Sequence, residues 1–300
     1  VWGGERIIPY KELASGLSRV GESWELSGMP GSESVVAEGP WAGSTLSELI
    51  GRFGAELLGK ANYARFGQEF PLLVKFIDAR EDLSIQVHPD DELARKRHGK
   101  SGKCEMWYVL EAEPGASLLT GFSRPIAPAE YERRVADNTL TDVLNRQAIA
   151  SGDVFYLPAG RVHSIGKGSF IVEIQQSSDI TYRIYDFDRR DAAGNSRELD
   201  TELAREAIDF ESSENSRITY APENNQEVRL VTTPYFTTSL YTLTARTRCD
   251  WSATDSFVAI VLLQGSGSLT DNEGNRIDVR QGETWLLPAS TQWTEITPHT

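Results

Sequence analysis

The chain has 300 residues and a formal net charge of −14, from 30 basic and 44 acidic side chains. That balance excludes bulk nucleic-acid binding and adhesion to anionic membranes, yet leaves room for a local cationic pocket that takes an anionic small molecule. Two cysteines, Cys104 and Cys249, exclude a disulfide framework and imply a reducing cytoplasm, and no apolar run reaches the ~20 residues of a membrane span.

The length suits one large or two ordinary domains. The opening "VWGGERIIPY" lacks the apolar core of a signal peptide, and a first residue other than methionine implies a start that was removed or lies upstream. Short strands such as "SWELSG" come next. "STLSELIGRFGAELLG" (44–59) carries Leu46, Leu49, Ile50, Phe53, Leu57 and Leu58 at helical spacing, with Ser44 as N-cap and Gly59 as stop, and predicts one amphipathic helix. "PLLVKFIDA" reads as a buried strand with one polar interruption, Lys75.

From Leu83 the pattern is β: "LSIQVH", "EMWYVLEA", "SLLTGF", "DVFYLPAG", "FIVEIQQ" and "TYRIYDF", with turn residues between. "APAEYERRVADNTLTDVLNRQAI" is a helical or irregular excursion, and "SRELDTELAREAIDF" a further helix. Strands return in "EVRLVTT", "FTTSLYTLT", "FVAIVLLQG", "SGSLTD", "RIDVRQGETWLLPAS" and "WTEIT". "ASGDVFYLPAGRVHSI" and "VRQGETWLLPASTQWTEI" match as copies of one element. His163 follows the proline of the first by five residues, where the second has Trp293. The expectation is a mainly β chain of two cupin-like jelly-roll barrels with helical excursions. Its predicted domains are a catalytic one over 1–190, a helical connector over 191–226 and a metal-free second barrel over 227–300.

Gln86 and His88 stand two apart on a strand, so their side chains share a face. Glu105 opens the next strand, and His163 follows the turn. Together they form a mixed N/O set compatible with Zn²⁺ in an open catalytic site, without excluding Fe, Mn, Co or Ni. Each also has an ordinary reading: a hydrogen-bonded strand histidine, a solvated glutamate, a turn-capping histidine. The repeat favours a ligand role for His163, because the second copy of the turn does without it. Cys104 reads as core. Beside the set runs a series of cations: Arg95, Lys96, Arg97, Lys100 and Lys103. Lys96 and Arg97 fit a solvated helix face, whereas Lys100 lies in the Gly-flanked "HGKSGK".

The segments "FPLLVKFIDAREDLSIQVHPDDELA", "GKCEMWYVL", "LPAGRVHSIG" and "EIQQSSDITYRIYDFDR", in this order, resemble the type I mannose-6-phosphate isomerase (phosphomannose isomerase) family in its short bacterial form. The resemblance covers most of 2–189 and, more loosely, the rest. It implies a zinc-dependent cupin enzyme that interconverts mannose 6-phosphate and fructose 6-phosphate. By motif, Gln86, His88, Glu105 and His163 become ligands of one Zn²⁺ per chain, and Lys103 and Arg183 the residues at the reacting sugar, with Lys103 the preferred proton shuttle. Ser84 and Lys100 are candidates for the phosphate, as hydroxyl and cationic donors suit its oxygens. The implied partner is a small sugar phosphate, with oligomeric state open. Alternatives are another cupin sugar-phosphate isomerase or epimerase, a cupin oxygenase, and a non-catalytic sugar-binding module.

Overall fold

The computed structural model describes residues 2–14, 16–190, 193–211 and 215–299, so 191–192 and 212–214 of the expected connector lie outside the described residues. The chain is mainly β and groups into two compact units. One comprises Val1–Ile7, Gly16–Ser23 and Lys75–Ile218; the other comprises Ile8–Ser15, Trp24–Val74 and Thr219–Thr300. The expected boundaries near 190 and 226 divide the chain by position, whereas the structure groups 24–74 with the C-terminal strands. Local contacts within that unit give the reason. Asp255 accepts the backbone N–H groups of Lys60 and Ala61 at 2.7 and 3.0 Å. Ala289 N–H donates to Leu57 O at 2.9 Å, and Phe70 packs on Phe257 with centroids 4.8 Å apart.

The strands up to residue 218 form two sheets. They are β1 (Glu22–Ser27), β2 (Leu72–Ala79), β3 (Ile85–Val87), β4 (Glu105–Ala112), β5 (Ser117–Phe122), β6 (Leu144–Ala148), β7 (Val154–Leu157), β8 (His163–Ile165), β9 (Ser169–Gln176), β10 (Tyr182–Tyr185) and β11 (Arg217–Ile218). One sheet has the order β1-β2-β9-β4-β7-β11 and the other β10-β3-β8-β5-β6. The core between them takes Ile77, Trp107, Val109, Phe155 and Ile171 from the first and Leu118 and Ile165 from the second. This is the double-sheet form of a cupin-like fold.

In the second unit the strands are β12 (Val228–Thr232), β13 (Thr237–Leu240), β14 (Thr247–Asp250), β15 (Val258–Val261), β16 (Ser266–Asp271), β17 (Arg276–Arg280), β18 (Thr284–Leu287) and β19 (Trp293–Pro298). They form a four-stranded sheet β14-β19-β16-β17 and two pairs, β12-β13 and β15-β18. Leu269, Val279 and Leu287 are its buried centre, flanked by Trp251, Ile260 and Trp285. The strands β6, β8, β11 and β14 are additions to the predicted set, and β6 lies in the segment read as a helical or irregular excursion, where it pairs with β5.

The helix expected over 44–59 is broken. It runs over Leu46–Phe53 and resumes over Ala55–Leu58, because Gly54 takes φ 50° and ψ −118°, outside the helical region. Its N-cap is Thr45 rather than Ser44, in a reciprocal capping box with Glu48. Gly59 ends the second piece as expected, and a third helix, Lys60–Phe66, follows. The excursion after β5 contains a helix over Pro128–Ala136, and the 196–210 segment is helical over Thr201–Ala207. No helix of the described residues is long and apolar enough to cross a membrane.

The helix Asp91–His98 holds the chain between β3 and β4. Asp90 caps it by accepting from Leu93 N–H at 2.8 Å. Asp91 then accepts from Gly102 N–H at 2.9 Å and from Gln176 Nε2 at 3.0 Å, drawing the entry to β4 against the helix start. A Cβ on Gly102 would stand 2.5 Å from Asp90 C and Asp91 N, a collision with backbone. Gly102→Ala is expected to cost roughly 1–3 kcal/mol in a urea titration, as overpacked sites do. An unchanged midpoint would mean that this close approach does not constrain the entry to β4.

Candidate active site

Strand register assembles the site. Across the second sheet of the first unit, Arg183 on β10 pairs with Gln86 on β3, and Gln86 pairs with His163 on β8. Directly paired residues of antiparallel strands project to one face, so these three form a row. His88 continues the face one residue past the end of β3. Glu105 comes from β4 of the other sheet, paired with Gln175 on β9 and Leu157 on β7. The two sheets therefore bring His88, Glu105 and His163 together, fully buried, with ligand atoms within 4.8 Å of one another.

The protonation of this cluster follows from its hydrogen bonds. His88 Nδ1 lies 2.8 Å from Ile180 O, and His163 Nδ1 lies 2.8 Å from Arg161 O. A carbonyl only accepts, so each Nδ1 carries the proton and each Nε2 presents a lone pair. Burial, then the charge of Lys103, holds His88 down to about 3. Burial likewise lowers His163. For Glu105 burial opposes ionisation, but Lys103 and His88 outweigh it and hold the carboxyl well below its usual range. His88 Nε2 stands 3.2 Å from Glu105 Oε1, and His163 Nε2 stands 3.5 Å from Glu105 Oε2. Neither His88 Nε2 nor either Glu105 oxygen meets a hydrogen-bond partner in proper geometry among the described residues. These lone-pair atoms face one another with no proton between them.

A tetrahedral Zn²⁺ with bonds of about 2.0–2.1 Å would separate its donors by roughly 3.3 Å, close to the two imidazole–carboxylate distances, each of which runs to a different Glu105 oxygen. Two neutral imidazoles fixed through Nδ1 and one carboxylate form a donor set that fits a divalent cation. Gln86 reaches the cluster with its Nε2 3.4 Å from His163 Nε2, and its Oε1 takes the Ser84 hydroxyl at 3.4 Å. For its oxygen to face a cation, the amide must exchange O and N by a half turn. Cys104 turns away: it is buried, and desolvation pushes its thiol up to about 12.

A cavity of about 160 Å³ in the same unit is lined by Ser84, Gln86, Lys103 and Arg183. Lys103 is buried with Nζ 2.7 Å from Glu105 Oε1. Arg183 Nε donates to Ser84 Oγ at 3.3 Å. Lys100 does not line it; its ammonium sits on Asp179 at 2.8 Å, both side chains about half exposed. Of the remaining cation run, Arg97 pairs with Glu206 at 2.5 Å and donates to Leu203 O, while Arg95 and Lys96 are exposed.

The same cavity contains charged residues that the sequence did not single out: Glu22, Lys75, Glu173 and Arg197. Lys75 Nζ lies 3.3 Å from Glu173 Oε1 and 3.5 Å from Glu22 Oε2. Trp107 Nε1–H donates to Glu173 Oε2 at 2.9 Å, across the β4–β9 pair. Burial raises the Glu173 carboxyl. Burial lowers Lys75, but Glu173 and Glu22 outweigh it and hold the ammonium above its usual value. The sequence did carry one signal: β2 is buried at all eight positions, and a lysine in such a strand has to be paired. Its partners lie about 50 and 100 residues away and could not be named from the sequence.

Fold and site together define a mainly β, cupin-like protein with a buried His–Glu–His centre able to hold a divalent metal beside a cationic cavity. Comparison with known proteins agrees. A model of the phosphomannose isomerase type I catalytic domain matches residues 10–119. Mannose-6-phosphate isomerase of Streptococcus mutans is 34% identical over 291 residues, 96% of this chain and 89% of that protein. The mannose-6-phosphate isomerase ManA of Bacillus subtilis is 33% identical over 292 residues, again 96% of this chain and 89% of that one. A crystal structure of the mannose 6-phosphate isomerase from Bacillus subtilis superposes with a TM-score of 0.89 at 30% identity, covering 99% of this chain and 93% of that one. The chain belongs to the type I mannose-6-phosphate isomerase family.

His163→Ala is expected to lower the affinity for a divalent ion by more than the roughly 10–100-fold typical of outer-shell partners. Competition with a chromophoric chelator measures it. Unchanged affinity would exclude His163 as a ligand.

Proposed function

We propose that the enzyme interconverts mannose 6-phosphate and fructose 6-phosphate by moving a proton between C1 and C2 through an enediol. The observation that carries this reading is the cavity in which Lys103 and Arg183 stand beside the His88–Glu105–His163 cluster, in a chain of this family. The cofactor in this reading is one Zn²⁺ per chain, held by His88, Glu105 and His163, with Gln86 as fourth ligand once its amide oxygen faces inward. Bound there, it would supply Lewis-acid stabilisation of a sugar oxygen that gains negative charge.

The side chains account for the rest of the reaction. Arg183, held through Ser84, aims its guanidinium at the sugar oxygen on C1 or C2, where a pre-oriented cation stabilises developing charge without reorganising. Lys103 carries the proton between the two carbons. Glu173, a carboxyl raised by burial on the same cavity wall, is the second group suited to that role. Ser84 donates its hydroxyl to the phosphate, whereas Lys100, paired with Asp179 away from the cavity lining, takes no part. The first domain of the sequence reading is the catalytic one. The C-terminal β domain, with Trp293 at the place of His163, is structural. The substrate is a small sugar phosphate in the cytoplasm, without nucleic-acid or membrane partners.

A coupled assay with mannose 6-phosphate is expected to detect turnover that chelation abolishes and zinc restores. A zinc-loaded protein inert toward this substrate, or activity indifferent to chelation, would reject the reading. Lys103→Met is expected to lower kcat by about 10²–10⁴-fold, the usual share of a general acid–base group, with bound metal retained. Near-full activity in that variant would move the proton transfer to Glu173.

A further inference from the structure

The connection from β9 to β10 carries the chain from one sheet to the other, and one buried amide holds it. Gln175 stands opposite Glu105 in the β4–β9 register, so the two side chains project to the same face. Gln175 is fully buried. Its Nε2 donates to Gln176 O and to Ser178 O, each at 2.8 Å. Both acceptors are carbonyls, so the nitrogen has to face them and the orientation of the amide is fixed. Its Oε1 is then left buried with no hydrogen-bond partner among the described residues.

A buried amide with an orphaned oxygen costs stability, and an apolar side chain of similar shape would avoid that cost. The use of Gln175 therefore lies in what its two N–H groups hold in place, which is the turn over 176–180. Within that turn, Ser178 N–H returns to Gln176 O at 2.8 Å. The Ser178 hydroxyl donates to Ser101 O at 2.9 Å and accepts from Ile180 N–H at 3.4 Å. Ile180 O, at the end of this series, accepts from His88 Nδ1 at 2.8 Å. That carbonyl sets the tautomer of His88 and the direction of its Nε2. Gln175 thus meets two members of the cluster by separate routes, through strand register at Glu105 and through its amide and the turn at His88.

We propose that Gln175 is a positioning residue of the metal centre: by holding the turn over 176–180, it keeps Ile180 O against His88 Nδ1 and His88 Nε2 aimed at Glu105 and His163. It acts through Ile180 and His88 and is not a ligand itself. This role rests on the metal reading of the cluster proposed above and holds whatever sugar the enzyme takes.

Two measurements on the folded protein test it without turnover. Competition with a chromophoric chelator gives the affinity for Zn²⁺. Nuclear magnetic resonance of protein carrying ¹⁵N-labelled histidine gives the Nδ1–H signals of His88 and His163, which are assigned by substitution among only four histidines. Gln175→Met keeps the length of the side chain and removes both donors. It is expected to weaken Zn²⁺ binding by about 10–100-fold, the range for partners that orient a ligand. The His88 signal should shift or broaden, while that of His163, whose Nδ1 is held by Arg161 O instead, stays in place. Wild-type affinity in Gln175→Met, an unmoved His88 signal, or equal disturbance of both histidines would overturn the proposal. Should Gln175→Met not fold, Ser178→Ala, which removes the hydroxyl between Ser101 O and Ile180 N–H, is read in the same way with the same outcomes. A wild type that binds no divalent ion would reject the metal reading and this role with it. Loss of affinity in His163→Ala but not in Gln175→Met would reject this role alone.

Discussion

The structure turns on a set of lone pairs that oppose each other. His88 and His163 give their Nδ1 protons to backbone carbonyls, so both Nε2 atoms face the ionised Glu105 as acceptors. A buried cluster of acceptors is costly unless a cation sits among them. Lys103 supplies one positive charge at 2.7 Å, but only on one oxygen of the carboxylate. A divalent ion answers the remaining demand, and its donor spacing is already built into the framework.

That framework is the reason for two sheets. The histidines and Gln86 stand on or beside neighbouring strands of one sheet, and Glu105 starts a central strand of the other. Packing of Ile77, Trp107, Leu118, Phe155 and Ile165 between the sheets sets the distance across which the carboxylate meets the imidazoles. The edge-to-face contact of Trp107 with His163, at 5.4 Å, and its hydrogen bond to Glu173 tie the apolar core to both polar groups. Stability and site geometry thus share the same side chains.

Much of this was legible in the sequence because the signals are local. The apolar runs of β4 and β9, the Gln86–His88 spacing and the repeated turn that carries His163 in one copy only needed no tertiary information. What was not legible depends on distant partners. Lys75 appeared only as a polar break in an apolar run, since Glu173 and Glu22 pair with it from other strands. Arg197 gave no signal, because Asp186 and the fold after β10 bring it to the cavity. The cation run was conspicuous, yet helix geometry sends Arg97 to Glu206, and the loop after the helix leaves Lys100 on Asp179. The predicted single helix over 44–59 failed at Gly54, where the hydrophobic period continues but the backbone does not.

The central claim is that a divalent ion occupies the point shared by His88, Glu105 and His163. Anomalous diffraction at the zinc edge, on crystals of protein supplied with the metal, tests it most directly. One strong peak per chain is expected, about 2.0–2.2 Å from both Nε2 atoms and a Glu105 oxygen. A peak elsewhere, or none with the three side chains still gathered, would contradict it.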